Sequence, residues 1–221
     1  MLRAIALLLL TFALTGAASA QESPREELPL TIGIHDYAHV PGGAVSHATR
    51  IVTRVYEQIG VRTNWLGVVR PDERKAGSAN RTETPAGQIA QMTIIMLTPK
   101  MAARGHIGDD VLGFAAVSNE GMGRIAYVVY DRLRDTAQQA ATSVDDLLAF
   151  VLAHEIARLL LPADSASSAG LMMKNRWTIE EIRRLDVRRL GFSTLQASLM
   201  RTTIEDDGLV FAARAAREGS R

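Results

Sequence analysis

The 221-residue chain contains no cysteine. Disulfides, thiolate metal ligands and a lipid anchor on an N-terminal cysteine are therefore excluded. Aromatic residues make up only 5% of the chain, and no dense basic stretch is interleaved with them. That composition argues against nucleic-acid binding. Charge of one sign is lacking too: the formal net charge is +1, and Arg3 is the only charged residue among the first twenty. Beyond those twenty, no apolar run approaches the roughly 20 residues of a membrane-spanning helix. Stability must therefore come from a core or a bound ligand, and the length suffices for one core.

What is present begins with an export signal. Arg3 supplies a positive start, residues 4–14 form an apolar run, and Ala18-Ser19-Ala20 offers a small-residue cleavage site. The mature chain is expected to begin at Gln21, to be periplasmic or extracellular, and to have no membrane contact after cleavage. Residues 21–28 read as a polar tail. Residues 29–202 read as one domain and residues 203–221 as a C-terminal tail.

Within the domain the pattern predicts an α+β fold. Residues 30–34 are apolar and partly β-branched, a strand signal. Ala44, Val45, Ala48, Ile51, Val52, Val55, Tyr56 and Ile59 recur at helical spacing up to Gly60. Residues 61–69 read as a second strand, completing a β-α-β unit with parallel strands. After a polar excursion over residues 71–87, residues 92–97 form a third strand, and 111–117 with 123–130 a strand pair. Ser143 is a good N-cap for a long helix over 145–161, with acidic residues in its first turn. Further helices are predicted over 178–190 and 193–201. The basic run within the first of these, Arg183 to Arg189, reads as a solvated face.

The chemistry lies in the long helix. Its residues His154-Glu155-Ile156-Ala157-Arg158 fall one residue short of the commonest zinc-protease signature. In that signature histidines at i and i+4 share a helix face and one metal, and the glutamate takes a proton from metal-bound water. Here the second position is Arg158, whose guanidinium offers donors only and cannot coordinate a cation.

Downstream come Ser167, Gly170-Leu171-Met172 and Trp177. With His154, Glu155, Ile156 and Leu159 to Leu161, these residues resemble a family of exported bacterial zinc-metallopeptidase-like proteins related to the metzincins. Asp36-Tyr37-Ala38-His39-Val40-Pro41, Leu112-Gly113-Phe114-Ala115 and Val129-Tyr130-Asp131-Arg132 extend the resemblance over nearly all of the domain. It implies a metzincin-like zincin domain: a mixed twisted sheet, an active-site helix and C-terminal helices. It also implies that Met172, preceded by Gly170, forms a methionine turn under the site, with Trp177 close by.

The departures fall on the ligands. Arg158 stands in place of the second histidine, and Ala166 in place of the third, twelve residues after His154. Pro162 replaces a glycine. Catalytic zinc normally takes three protein ligands plus water. Of the original set His154 alone remains, with Asp164 a weak candidate at ten residues' distance. His35, His39, His47 and His106 are not placed near it by the sequence. Glu155 is then a vestigial general base, and no cofactor is expected.

Arg158 lies three positions after Glu155, near enough to pair with it and stand in for the metal as the central cation. The alternative is that its side chain reaches solvent at the cleft rim. The resulting expectation is a non-catalytic pseudo-peptidase that binds a peptide or protein in its cleft. The alternative is an active zinc metallopeptidase with a non-standard ligand set around His154 and Glu155, and a third reading is a structural domain without a ligand.

Overall fold

Alternation builds the first strand. In β1, Leu28–Asp36, the side chains of Leu30, Ile32, Ile34 and Asp36 all point inward. The computed structural model describes residues 27–71, 91–117, 124–162 and 170–218. The expected signal, the excursion after Pro71, the turn between the paired strands, Asp164 and Ala166 lie outside the described residues.

Helix α1, Gly42–Glu57, buries Ala44, Val45, Ala48, Ile51, Val52, Val55 and Tyr56, the apolar face expected from their spacing. Gly60 follows at a φ of 71°, a conformation that glycine adopts without penalty. Strand β2, Val61–Val69, then pairs parallel to β1. Strand β3, Met92–Leu97, lies parallel on the other side of β1. Strand β4, Gly113–Val117, is antiparallel to β5, Arg124–Val129, which in turn runs parallel to β3. The mixed five-stranded sheet has the order β2-β1-β3-β5-β4, so β4 is an edge strand.

Two helices between these elements and the site were not anticipated. Helix α2, Pro99–Arg104, has Thr98 as its cap and Pro99 in its first turn, a clear start signal on a short segment. Helix α3, Tyr130–Ala140, follows β5 with no intervening loop and buries Tyr130, Leu133, Ala137 and Ala140. Helix α4, Val144–Leu160, is the long helix as expected, and Ser143 accepts a hydrogen bond from the Asp146 N–H at its start. It packs against α1, α3, β4 and β5. Burial on every side explains why its apolar residues form no single stripe.

The C-terminal region departs from expectation in two ways. The helix expected over residues 178–190 is α5, Ile179–Arg183, followed by a separate 3-10 turn at Val187–Arg189. The Asp186 carboxylate accepts the Arg188 N–H, offering the backbone a local alternative to a continuing helix. Secondly, α6 spans Thr194–Glu218, so most of the expected tail is helical. Met200 and Ile204 seat α6 in the core, and Arg201 donates to the Gly60 carbonyl at 2.8 Å. The basic run is exposed as expected, with Arg183 and Arg184 paired to Glu180, and Arg188 and Arg189 to Asp186. Among the described residues no helix is long and apolar enough to cross a membrane.

Candidate functional site

His154 and Glu155 sit two-thirds of the way along α4, 5% and 3% exposed. Their surroundings come from the segment after the helix. Gly170 has a φ of 126°, in a region that L side chains rarely adopt, and leads into a 3-10 turn at Leu171–Met173. Two carbonyls of the turn accept ring N–H groups. Nδ1 of His154 donates to the Met172 carbonyl, and Nε1 of Trp177 donates to that of Leu171 at 2.9 Å. The Trp177 ring packs tilted on Phe150 and edge-on to His154, with centroids 4.7 and 4.8 Å apart. The structure thus brings His154, Met172 and Trp177 together, with Gly170 shaping the turn.

The Met172 carbonyl fixes the tautomer. A carbonyl can only accept, so Nδ1 carries the proton and the neutral ring keeps a lone pair on Nε2. Burial lowers the His154 pKa to about 4, partly opposed by the Met172 hydrogen bond and reinforced by Arg158. Neutral imidazole therefore prevails at ordinary pH. Nε2 faces the Glu155 carboxyl at 3.9 Å, beyond hydrogen-bonding distance. Burial pushes Glu155 up to about 8, and the nearby positive charge of Arg158 offsets only part of that.

Of the two directions open to Arg158, the side chain takes the one towards solvent and does not pair with Glu155. Its guanidinium donates to Oδ1 of Asn175 at 2.7 Å, at an exposed position, and no Arg158–Glu155 ion pair occurs within 4.0 Å. The long side chain reaches water at the rim, where its charge is solvated at lower cost than inside. Arg158→Met is accordingly expected to cost about 1 kcal/mol or less, the range for an exposed polar contact. Urea unfolding of the two proteins checks this, and a loss of several kcal/mol would restore Arg158 to a central role.

His154 and Glu155 open onto a cleft of about 600 Å³. One wall is the segment from Asp109 to Gly113 at the start of β4, and the other runs from Asn175 to Ile179 with Ile182. Gly113 allows the close approach. A Cβ there would lie 3.0 Å from Glu155 Oε1 and 2.9 Å from the Tyr127 carbonyl. Arg132 braces the first wall by donating to the carbonyls of Ile107, Gly108 and Val111 and to Asp109. Asp110 and Arg176 pair at 3.1 Å, one from each wall. Sequence reasoning named the segments holding Gly113 and Arg132 but gave neither a role, and it passed over Asp110 and Arg176. Only a fold that opposes their two loops makes them neighbours.

The remaining histidines lie elsewhere. His47 pairs with Asp146 at 2.7 Å between α1 and the start of α4. His35 is on β1, and His39 and His106 occupy turns with positive φ. None of the four lines the cleft. Among the described residues no group of three histidine, aspartate or glutamate side chains is placed to hold a metal ion. The His154 Nε2 lone pair and the Glu155 carboxyl are two donors, which do not by themselves make the three-ligand set of a catalytic zinc. No protein-family model matches the chain, and no curated protein matches it.

Proposed function

We propose that the protein is an exported, metzincin-like domain with a degenerate zinc site, a non-catalytic pseudo-peptidase that binds a peptide or protein segment. A mixed sheet, a buried helix carrying the His-Glu pair and helices C-terminal to it are the architecture that the resemblance implies. The Met172 turn beneath His154 and the packing of Trp177 favour the same reading. The observation that carries the loss of catalysis is the direction of Arg158, bonded to Asn175 where a second imidazole would be needed. The binding role rests on the cleft beside β4, since an extended chain can add to a sheet edge and place alternate side chains in a groove.

One observation favours the active alternative. The His154 tautomer, with Nδ1 bonded to a backbone carbonyl and Nε2 bare, is the one a metal-ligating histidine takes. The test is metal content of the mature protein, loaded with zinc, desalted and measured by elemental mass spectrometry, followed by selection from a displayed peptide library. Substoichiometric zinc and recovered peptides that fail to bind Gln139→Trp, a change at an exposed cleft position, are expected. Stoichiometric zinc with hydrolysis of fluorogenic peptides would replace this reading with the metallopeptidase.

A further inference from the structure

The cleft is richer in acceptors than in donors. At its floor the His154 Nε2 lone pair and the Glu155 carboxyl open into it, and neither has a hydrogen-bond partner among the described residues. Glu155 is almost wholly buried as a residue, but among the described residues no fully buried side-chain oxygen or nitrogen lacks a partner, so its carboxyl reaches the open space of the cleft, where a ligand group can bond it. At the mouth, Asp110 faces the same space. The backbone on either side of it is held by Arg132, which donates to the Gly108, Val111 and Ile107 carbonyls. Of the charged side chains lining the cleft, Asp109 and Asp110 are acidic and only Arg176 is basic.

Arg176 is held loosely. Its side chain is 85% exposed, and its contact with Asp110, itself 57% exposed, is a single surface ion pair. Such pairs contribute about 0–1 kcal/mol. A second cation can therefore take its place on Asp110 at little cost.

We propose that the cleft selects a basic side chain, arginine or lysine, on the bound peptide, and that Arg176 is a built-in occupant which the ligand's cation displaces from Asp110. This rests on the cleft being a peptide site. A guanidinium or ammonium carries donors only, which suits a lining of acceptors. The N–H groups of the bound chain serve Nε2 of His154 and the Glu155 carboxyl at the floor.

The test uses fluorescent hexapeptide pools of uncharged residues with one central arginine, lysine, citrulline or glutamate, titrated against the mature protein by fluorescence polarisation. The arginine and lysine pools are expected to bind about two- to fivefold tighter than the citrulline pool, the effect of one exposed ion pair. Asp110→Asn should bring the pools together, while Arg176→Gln should tighten the arginine pool several-fold. Both positions are exposed, and thermal melts verify that the variants fold. Equal binding of arginine and citrulline, preference for glutamate, or weaker binding of every pool by Arg176→Gln would each overturn the proposal. Failure of all four pools to bind the unaltered protein is a different result, and it removes the peptide-site reading itself.

Discussion

Replacing Asp36 with alanine is expected to destabilise the protein by about 3 kcal/mol or more, the usual cost of breaking a buried ion pair from one side. Asp36 closes β1 and is fully buried. Oδ1 accepts the N–H groups of Ala38 and Val40 at 3.1 and 3.2 Å, and Oδ2 accepts Nε of Arg70 at 3.3 Å. The same guanidinium donates to the Val40 carbonyl at 3.1 Å, so one carboxylate and one arginine together hold the turn between β1 and α1. Alanine leaves the buried Val40 N–H and the part-buried Ala38 N–H without their acceptor and removes the carboxylate that Arg70 pairs with. Arg70 is 31% exposed and can turn to water, which keeps the expected cost towards the lower end of the range. Asp36→Asn retains an acceptor oxygen and should cost clearly less than Asp36→Ala. Urea unfolding of the two variants checks both statements, and a loss below about 1 kcal/mol for alanine would show that the turn is held by something else.

That turn also bears on the site, because α1 is the main support of α4. Tyr56 of α1 donates to the Ala153 carbonyl, one residue before His154, and its ring packs at 5.3 Å from Phe192. Loosening the entry to α1 should therefore be felt at the cleft floor as well as in the global stability. Peptide binding by Asp36→Ala should weaken in step with its stability.

Much of this scaffold is legible in the residues. β1, β2 and β3 read cleanly because apolar and β-branched residues cluster between turn signals, and α1 because its buried face repeats at helical spacing. The bounds of α4 follow from Ser143 at one end and Pro162 just past the other. What escaped notice was short or ambiguous. α2 has a single buried residue, Ala102, and α3 begins at the residue after β5 stops, so no loop composition marks the change. In the 178–190 stretch helical spacing continues through residues whose side chains, Asp186 above all, bond the backbone locally and end the helix. The site divides in the same way. His154, Met172 and Trp177 are close in sequence and meet through one turn, whereas Asp110 and Arg176 are 66 positions apart and meet only through the tertiary fold. The side-chain direction of Arg158 was equally hidden, since spacing allows it to reach Glu155 and solvation decides that it does not.

The stability of the metal-free protein is expected to be greatest between about pH 4.5 and 6.5 and to fall by about 2 kcal/mol from pH 6.5 to 8, through the His154–Glu155 pair. Glu155 is raised by burial from 4.5 to about 8, so the folded protein holds a proton that the unfolded chain has released between those values. Its contribution is fully present below pH 4.5 and is lost as the pH rises through 8. His154 is lowered by burial from 6.5 to about 4, so its contribution is present above pH 6.5 and is lost as the pH falls through 4. Between 4.5 and 6.5 the two slopes oppose each other and cancel. Above 6.5 Glu155 is the one of the two that still titrates, and through it each unit of pH costs about 1.4 kcal/mol. Glu155→Gln cannot ionise and should abolish the alkaline fall, leaving stability level from pH 6.5 to 8. Urea unfolding in chelator-containing buffers at pH 6 and 8.5 compares the two proteins directly. An equal alkaline loss in both would mean that the carboxyl ionises without penalty, and that the floor of the cleft is wetter than its burial implies.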